Sequence, residues 1–211
     1  MPRKKRIWYP GAIYHVMSRG IRRTAIYEGR EDYIRFLEIM QNTREKYTFN
    51  VFAICLMTNH FHMEIETQDV ELWKIMQNIK SRYAEDFNRR HEYSGHLFEG
   101  RYAASLIRDE RYFLEVSRYI HLNPVKAGMV REPCAYDYSS YGLFVPKRGR
   151  RRADKASRMI ADLVDTERVL GTFQIGSRQQ YRTFVEGTAS HEEQEMMIRK
   201  EMGENEFWMP R

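Results

Sequence analysis

The segment from Phe49 to Thr67 constrains the fold more tightly than any other part of this 211-residue chain. Val51, Phe52, Ala53, Ile54, Cys55, Leu56 and Met57 form an unbroken apolar run, the pattern of a central strand covered on both faces. Thr58-Asn59 then offers a tight turn. From His60 to Thr67 the pattern changes to strict alternation. Phe61, Met63 and Ile65 point one way, and His60, His62, Glu64 and Glu66 point the other. This second strand therefore has one core face and one polar face.

The flanking patterns extend the sheet. A first strand is expected at Ala12 to Ser18. Tyr33, Phe36, Leu37, Met40 and Tyr47 recur at helical spacing, giving a helix from Arg30 to Lys46. Leu72, Ile75, Met76, Ile79, Tyr83 and Phe87 give another from Val70 to Arg90, with Asp69 as its N-cap. His96 to Ile107 reads as extended. A third helix starts near Asp109 and is expected to end near Asn123, because Pro124 follows. The order β-α-β-β-α-β plus a helix predicts an α+β, ferredoxin-like sheet, its helices on one face and the other face free to carry a site. Residues 1–145 form this domain and residues 146–155 a basic linker. Residues 156–211 form a helical C-terminal extension with little core of its own, expected as helices at Met159 to Phe173, Arg178 to Glu186 and His191 to Met202.

Charge narrows the partners. The formal net charge is +6, which favours polyanions, nucleic acid before anionic membrane. The basic residues cluster at Arg3, Lys4, Lys5 and Arg6, at Lys147, Arg148, Arg150, Arg151, Arg152 and Lys155, and along one helix at Lys80, Arg82, Arg89 and Arg90. Fourteen tyrosines suit base stacking as well as packing. No apolar run approaches the roughly 20 residues that cross a bilayer, so no membrane partner is expected. No long apolar stretch follows the basic start, unlike a secretory signal. Cys55 and Cys134 do not make a disulfide framework; Cys55, inside an apolar run, reads as a core residue, and a reducing cytoplasm fits.

Two weak signals carry chemistry. His60 and His62 sit at i and i+2 of a strand, so their imidazoles share a face and can bind one divalent metal. Two ligands are too few for a tight site. Tyr119 and Asn123 are i and i+4 on the third helix, so both can face one way. An amide oxygen suits Mg²⁺ or Mn²⁺ beside two imidazoles. Blander roles fit the same residues: solvated strand histidines, a packed aromatic, and an asparagine closing a helix.

The motifs Leu56-Met57-Thr58-Asn59-His60-Phe61-His62 and Tyr119-Ile120-His121-Leu122-Asn123-Pro124-Val125-Lys126-Ala127-Gly128 resemble the HUH single-tyrosine transposases. More narrowly the chain is similar to the REP-associated tyrosine transposases, encoded beside repetitive extragenic palindromes. Tyr9 to Val16, Phe87 to Arg90, Gly95 to Tyr102 and Ser139-Ser140-Tyr141 agree, in order, over residues 7 to 145. Thr58 departs from a frequent proline, Tyr138 from a frequent tryptophan and Lys126 from a usual arginine; none is a catalytic group. The resemblance implies that His60, His62 and Asn123 hold the metal and that Tyr119 is the nucleophile. It also implies single-stranded hairpin DNA as substrate, and a 5′-phosphotyrosine whose energy allows rejoining without a nucleotide cofactor.

Arg3 to Arg6, Arg101, Lys147, Arg148, Arg150, Arg151 and Arg152 are the expected phosphate contacts. Glu64 and Glu66 read as exposed strand carboxylates. A non-mobilising palindrome-binding protein or repressor is the alternative function. A ferredoxin-like RNA-binding module would instead need aromatics on an open sheet face. Whether one copy or two act together is left open.

Overall fold

Strand β1 (Ala12–Arg19) lies at the centre of a four-stranded sheet with β2 (Phe49–Met57), β3 (His60–Thr67) and β4 (Ala103–Ile107), in the order β2-β3-β1-β4. Every neighbouring pair is antiparallel. This is the expected ferredoxin-like arrangement, seen in a computed structural model that describes residues 7–145, 154–173 and 177–187, with 196, 198 and 200 individually. The expected strand from His96 shrinks to Ala103–Ile107, and the preceding loop joins the sheet edge through a bridge between Gly20 and Phe98 and the Glu99 amide donating to the Arg19 carbonyl. No helix of the described residues is long and apolar enough to cross a membrane.

Helices α1 (Arg30–Lys46) and α2 (Leu72–Arg90) cover one face. Phe36 of α1 packs on Phe61 of β3 at 5.0 Å and on Tyr83 of α2 at 5.1 Å. Helix α2 begins later than expected, after Glu71 rather than Asp69, and Glu71 makes no side-chain cap. The basic cluster read on α2 is largely engaged. Arg89 and Arg90 both reach Asp86 at 2.8 Å, and Arg35 of α1 joins them. Arg90 also pairs with Asp32 at 2.6 Å, and Lys80 donates to the Gly100 carbonyl. Burial opposes ionisation of Asp86, but the guanidinium hydrogen bonds outweigh it and hold the carboxyl down at about 2. These arginines staple α1 to α2.

The second sheet face is not free. Helix α3 (Glu110–Lys126) lies across it, its N-terminus capped by Asp109 accepting from the Tyr112 amide at 2.8 Å. A bulge between Val51 and Ala53 turns Phe52 toward this layer, where it meets Phe113 at 5.5 Å. The helix does not stop at Asn123. It passes through Pro124 to Lys126, because a proline one turn from the end removes a single helical hydrogen bond, and burial of Pro124 offsets that loss.

The C-terminal part is welded to both layers. It comprises α5 (Lys155–Leu163), α6 (Glu167–Leu170) and α7 (Ser177–Glu186), after the short α4 (Tyr141–Phe144). The helix expected from Met159 to Phe173 is broken where Val164 bridges Val51 at the sheet edge. Arg44 donates to the carbonyls at the end of α5, and Lys155 pairs with Glu38. Ala156, Met159, Ile160, Leu163, Val169, Leu170, Tyr181 and Val185 are buried. The span expected as a helix from His191 to Met202 lies mostly outside the described residues.

Candidate active site

The polar face of β3 is brought under α3. In the β1–β3 register Arg19 opposes His60, Met17 opposes His62 and His15 opposes Glu64, so period-two alternation sets His15, His60, His62 and Glu64 on one face. Tyr119 descends on them from α3. Its ring meets His62 edge-on at 5.4 Å between centroids and His15 at 5.8 Å. His60 and His62 are 5.1 Å apart with perpendicular rings. The Lys126 ammonium lies 4.8 Å from the Tyr119 ring centre.

Each imidazole is tied at one nitrogen. His60 Nδ1 lies 2.7 Å from Asn59 Oδ1, and His62 Nδ1 lies 3.0 Å from His15 Nε2. His15 was not singled out from the sequence; its signal is the cross-strand register, which no linear motif displays. Burial drives all three histidines toward neutrality. His60 falls to about 4, with the charge of Arg19 adding to the effect. His15 falls to about 3, and His62 lies well below the ordinary range, with His60, His15 and Lys126 contributing after burial. Neutral imidazole is the form that binds a metal.

Asn123 lies one turn beyond Tyr119 and is 9% exposed. Its Nδ2 donates to the Tyr119 carbonyl at 2.9 Å, which leaves the amide oxygen as the end able to ligate. Asn123 does not close the helix. Among the described residues no three His, Cys, Asp or Glu side chains gather as a metal site. The side chains that could hold a divalent ion on this face are the imidazoles of His60 and His62, with the Asn123 amide oxygen a third candidate; imidazole and amide donors of this kind suit Mg²⁺ or Mn²⁺.

Glu64 corrects the sequence reading. It is fully buried rather than exposed, because α3 closes over it, and both its oxygens make no hydrogen bond among the described residues. Burial raises its pKa well above the usual carboxylate range, with only a weak opposing pull from Arg168. Glu66 is half-buried and accepts from Asn50 and Gln68 at 2.7 Å each.

The rim is basic. Arg19 is held beside His60 by Glu99 at 2.8 Å. Next to it, Arg22 and Arg23 adopt left-handed backbone angles, φ 49° and 61°, which cost energy for residues with a Cβ. Gly20 permits that turn, since a Cβ there would meet the Thr24 carbonyl oxygen at 2.2 Å. Arg101 is exposed just before β4. Arg3, Lys4, Lys5, Arg6, Lys147, Arg148, Arg150, Arg151 and Arg152 lie outside the described residues.

Behind Tyr119, the far side of α3 carries a network that the sequence reading missed. His121 is fully buried, with Nδ1 2.6 Å from the Tyr181 hydroxyl and Nε2 2.8 Å from Ser140 Oγ. Arg118 donates to the carbonyls of Val185 and Gly187. A histidine and an arginine on the back of a sheet-packed helix signal a further layer, here α7. Burial lowers His121 to about 3, so the folded state resists protonation that the unfolded chain accepts below about pH 6.5. The associated stability is complete above that pH and is lost as pH falls. Between pH 6.5 and 5 this histidine alone is expected to remove roughly 2 kcal/mol. Urea unfolding at the two pH values measures it: His121→Gln should shrink the difference by about that amount, leaving the part due to His15, His60 and His62; an unchanged pH dependence in that variant would refute the assignment.

Comparison with known proteins identifies relatives of this fold and sequence. A Haemophilus influenzae protein provisionally named a REP-associated tyrosine transposase is 28% identical over 122 residues, which span 52% of this chain and 69% of that protein. A solved structure of a REP-associated tyrosine transposase bound to a REP hairpin superposes with a TM-score of 0.59 at 17% identity, covering 73% of this chain and 94% of the other, a likeness of fold. The family model described as IS200-like transposase matches residues 9–123, a span that begins just before β1 and ends at Asn123. The chain belongs to the IS200-like transposase family.

Proposed function

We propose that this transposase is a metal-dependent single-stranded DNA endonuclease and strand transferase that acts at hairpin DNA through a covalent 5′-phosphotyrosine. The observation that carries the reading is the packing of Tyr119 against His62, 5.4 Å away, with Lys126 over the same ring. Attack by the Tyr119 oxygen on a backbone phosphorus forms the tyrosyl ester and breaks the bond to the 3′ oxygen, which leaves as a hydroxyl carrying the proton that tyrosine gives up. Attack by another 3′-hydroxyl on that ester reverses the exchange and joins strands. Lys126 stabilises the negative charge that develops on the phenol oxygen. His60, His62 and Asn123 would hold Mg²⁺ or Mn²⁺, which supplies charge neutralisation at the scissile phosphate. Arg19, Arg22 and Arg23 at the mouth suit phosphates of the incoming strand, and Arg101 and the basic segments outside the described residues would add further contacts.

A hydrolytic nuclease has no need of a tyrosine at this position. The RNA-module reading loses its support, since α3 occupies the sheet face on which bases would stack. The palindrome-binding alternative separates from the enzyme in one experiment. Purified protein, Mn²⁺ and an end-labelled single-stranded hairpin oligonucleotide are expected to give a denaturation-resistant protein–DNA adduct and a shortened strand with a free 3′-hydroxyl. Tight hairpin binding without any adduct would favour the repressor.

A further inference from the structure

Asn59 carries its own evidence of orientation. Its Nδ2 donates to the Arg23 carbonyl at 3.1 Å, across the strained left-handed turn. The amide oxygen therefore faces the other way, 2.7 Å from His60 Nδ1. A carboxamide oxygen only accepts, so that nitrogen must carry the proton. A neutral imidazole has one N–H, and His60 Nε2 is left with a lone pair.

His62 is tied in the same way, at Nδ1, but to another histidine: His15 Nε2 at 3.0 Å, with both rings fully buried. Either nitrogen can donate. Two neighbouring features select the direction. His15 Nδ1 makes no hydrogen bond among the described residues, nor does either oxygen of Glu64, the residue opposite His15 across β1 and β3. If His15 accepts at Nε2, its proton sits at Nδ1, and Glu64 is the polar side chain that the strand register places opposite it. If His15 donates at Nε2, its Nδ1 is a bare acceptor and His62 loses the lone pair at Nε2.

Resting on the proposed reaction, we infer that His15 and Asn59 are positioning residues that hold His62 and His60 in the Nδ1–H tautomer, so that both present Nε2 to a divalent metal. Neither residue touches the metal or the DNA in this role. Each fixes ring orientation and the ligating nitrogen before the metal arrives, as partners behind metal-bound histidines do. Asn59 precedes His60 in the β2–β3 turn, whereas His15 comes from β1 and reaches His62 only through the sheet register.

The test begins with nitrogen-15 NMR of the imidazoles in metal-free wild-type protein, which distinguishes protonated from unprotonated ring nitrogens. Unprotonated Nε2 on both His60 and His62 is expected; an Nε2–H tautomer on either overturns the inference for that residue. Mn²⁺ affinity by electron paramagnetic resonance is the second readout. His15→Leu and Asn59→Ala should each weaken Mn²⁺ binding by roughly 10- to 100-fold. His15→Gln, whose carbonyl oxygen can stand where Nε2 stood, should stay within about threefold of wild type. Equal weakening in the Leu and Gln variants would mean that only ring packing matters, and unchanged affinity in the Leu variant would mean that the hydrogen bond does nothing; either result sinks the inference. If His15→Leu does not fold, the Gln variant and the wild-type spectrum still decide. A wild-type protein that takes up no Mn²⁺ would defeat the metal in the proposed reaction, while the tautomers would still judge this inference separately.

Discussion

Tyr119→Phe is expected to abolish the covalent adduct, lowering its formation by roughly 10³-fold or more, while hairpin affinity stays close to wild type. The substitution removes one oxygen and keeps the ring that packs against His62, His15 and Lys126. Its cost to folding should therefore be about 1 kcal/mol, the scale of one hydrogen bond. A packed aromatic with no chemical role would give the opposite outcome, a small stability change and undiminished adduct. Electrophoresis under denaturing conditions separates the two, with a binding assay on the same preparation to show that the DNA still docks. Adduct that persists in the variant would move the nucleophile to another residue.

Loss of an imidazole should be nearly as severe. His60→Ala is expected to reduce adduct formation by roughly 100-fold or more, because transition-state charge at the phosphate is then poorly neutralised. His60 is the cleaner position, since it is only half-buried at the mouth of the site. His62→Ala should be at least as damaging to activity but harder to interpret. It empties a fully buried position and leaves His15 Nε2 without its partner, adding a folding penalty of roughly 2–3 kcal/mol. Initial rates over an Mn²⁺ titration distinguish the effects: a weakened site recovers part of its rate at high metal, whereas a misfolded one does not. Near wild-type rates in both variants would remove the metal from the mechanism.

The face that Tyr119 meets shows why some of the molecule was legible and some was not. Strand boundaries at Phe49–Met57 and His60–Thr67 follow from side-chain period alone, since an unbroken apolar run and strict alternation have few other solutions. The same holds for α1, whose apolar spacing and length match the observed Arg30–Lys46. Local rules failed where another segment intervened. Pro124 reads as a stop, yet burial carries α3 through it. Arg89 and Arg90 read as a basic surface, yet Asp86 and Asp32 claim them. Glu64 reads as solvated because alternation distinguishes two faces but says nothing about what covers the second.

The sequence by itself determined the order of strands and helices, the shared face of His60 and His62, and the one-turn relation of Tyr119 to Asn123, all consequences of period within a single element. Only the tertiary structure decided that α3 lies over that face, that His15 stands behind His62, and that α7 grips the far side of the tyrosine helix. Those relations join residues 47, 57 and 60 positions apart. They are set by register and packing across elements, and no periodicity along the chain encodes them.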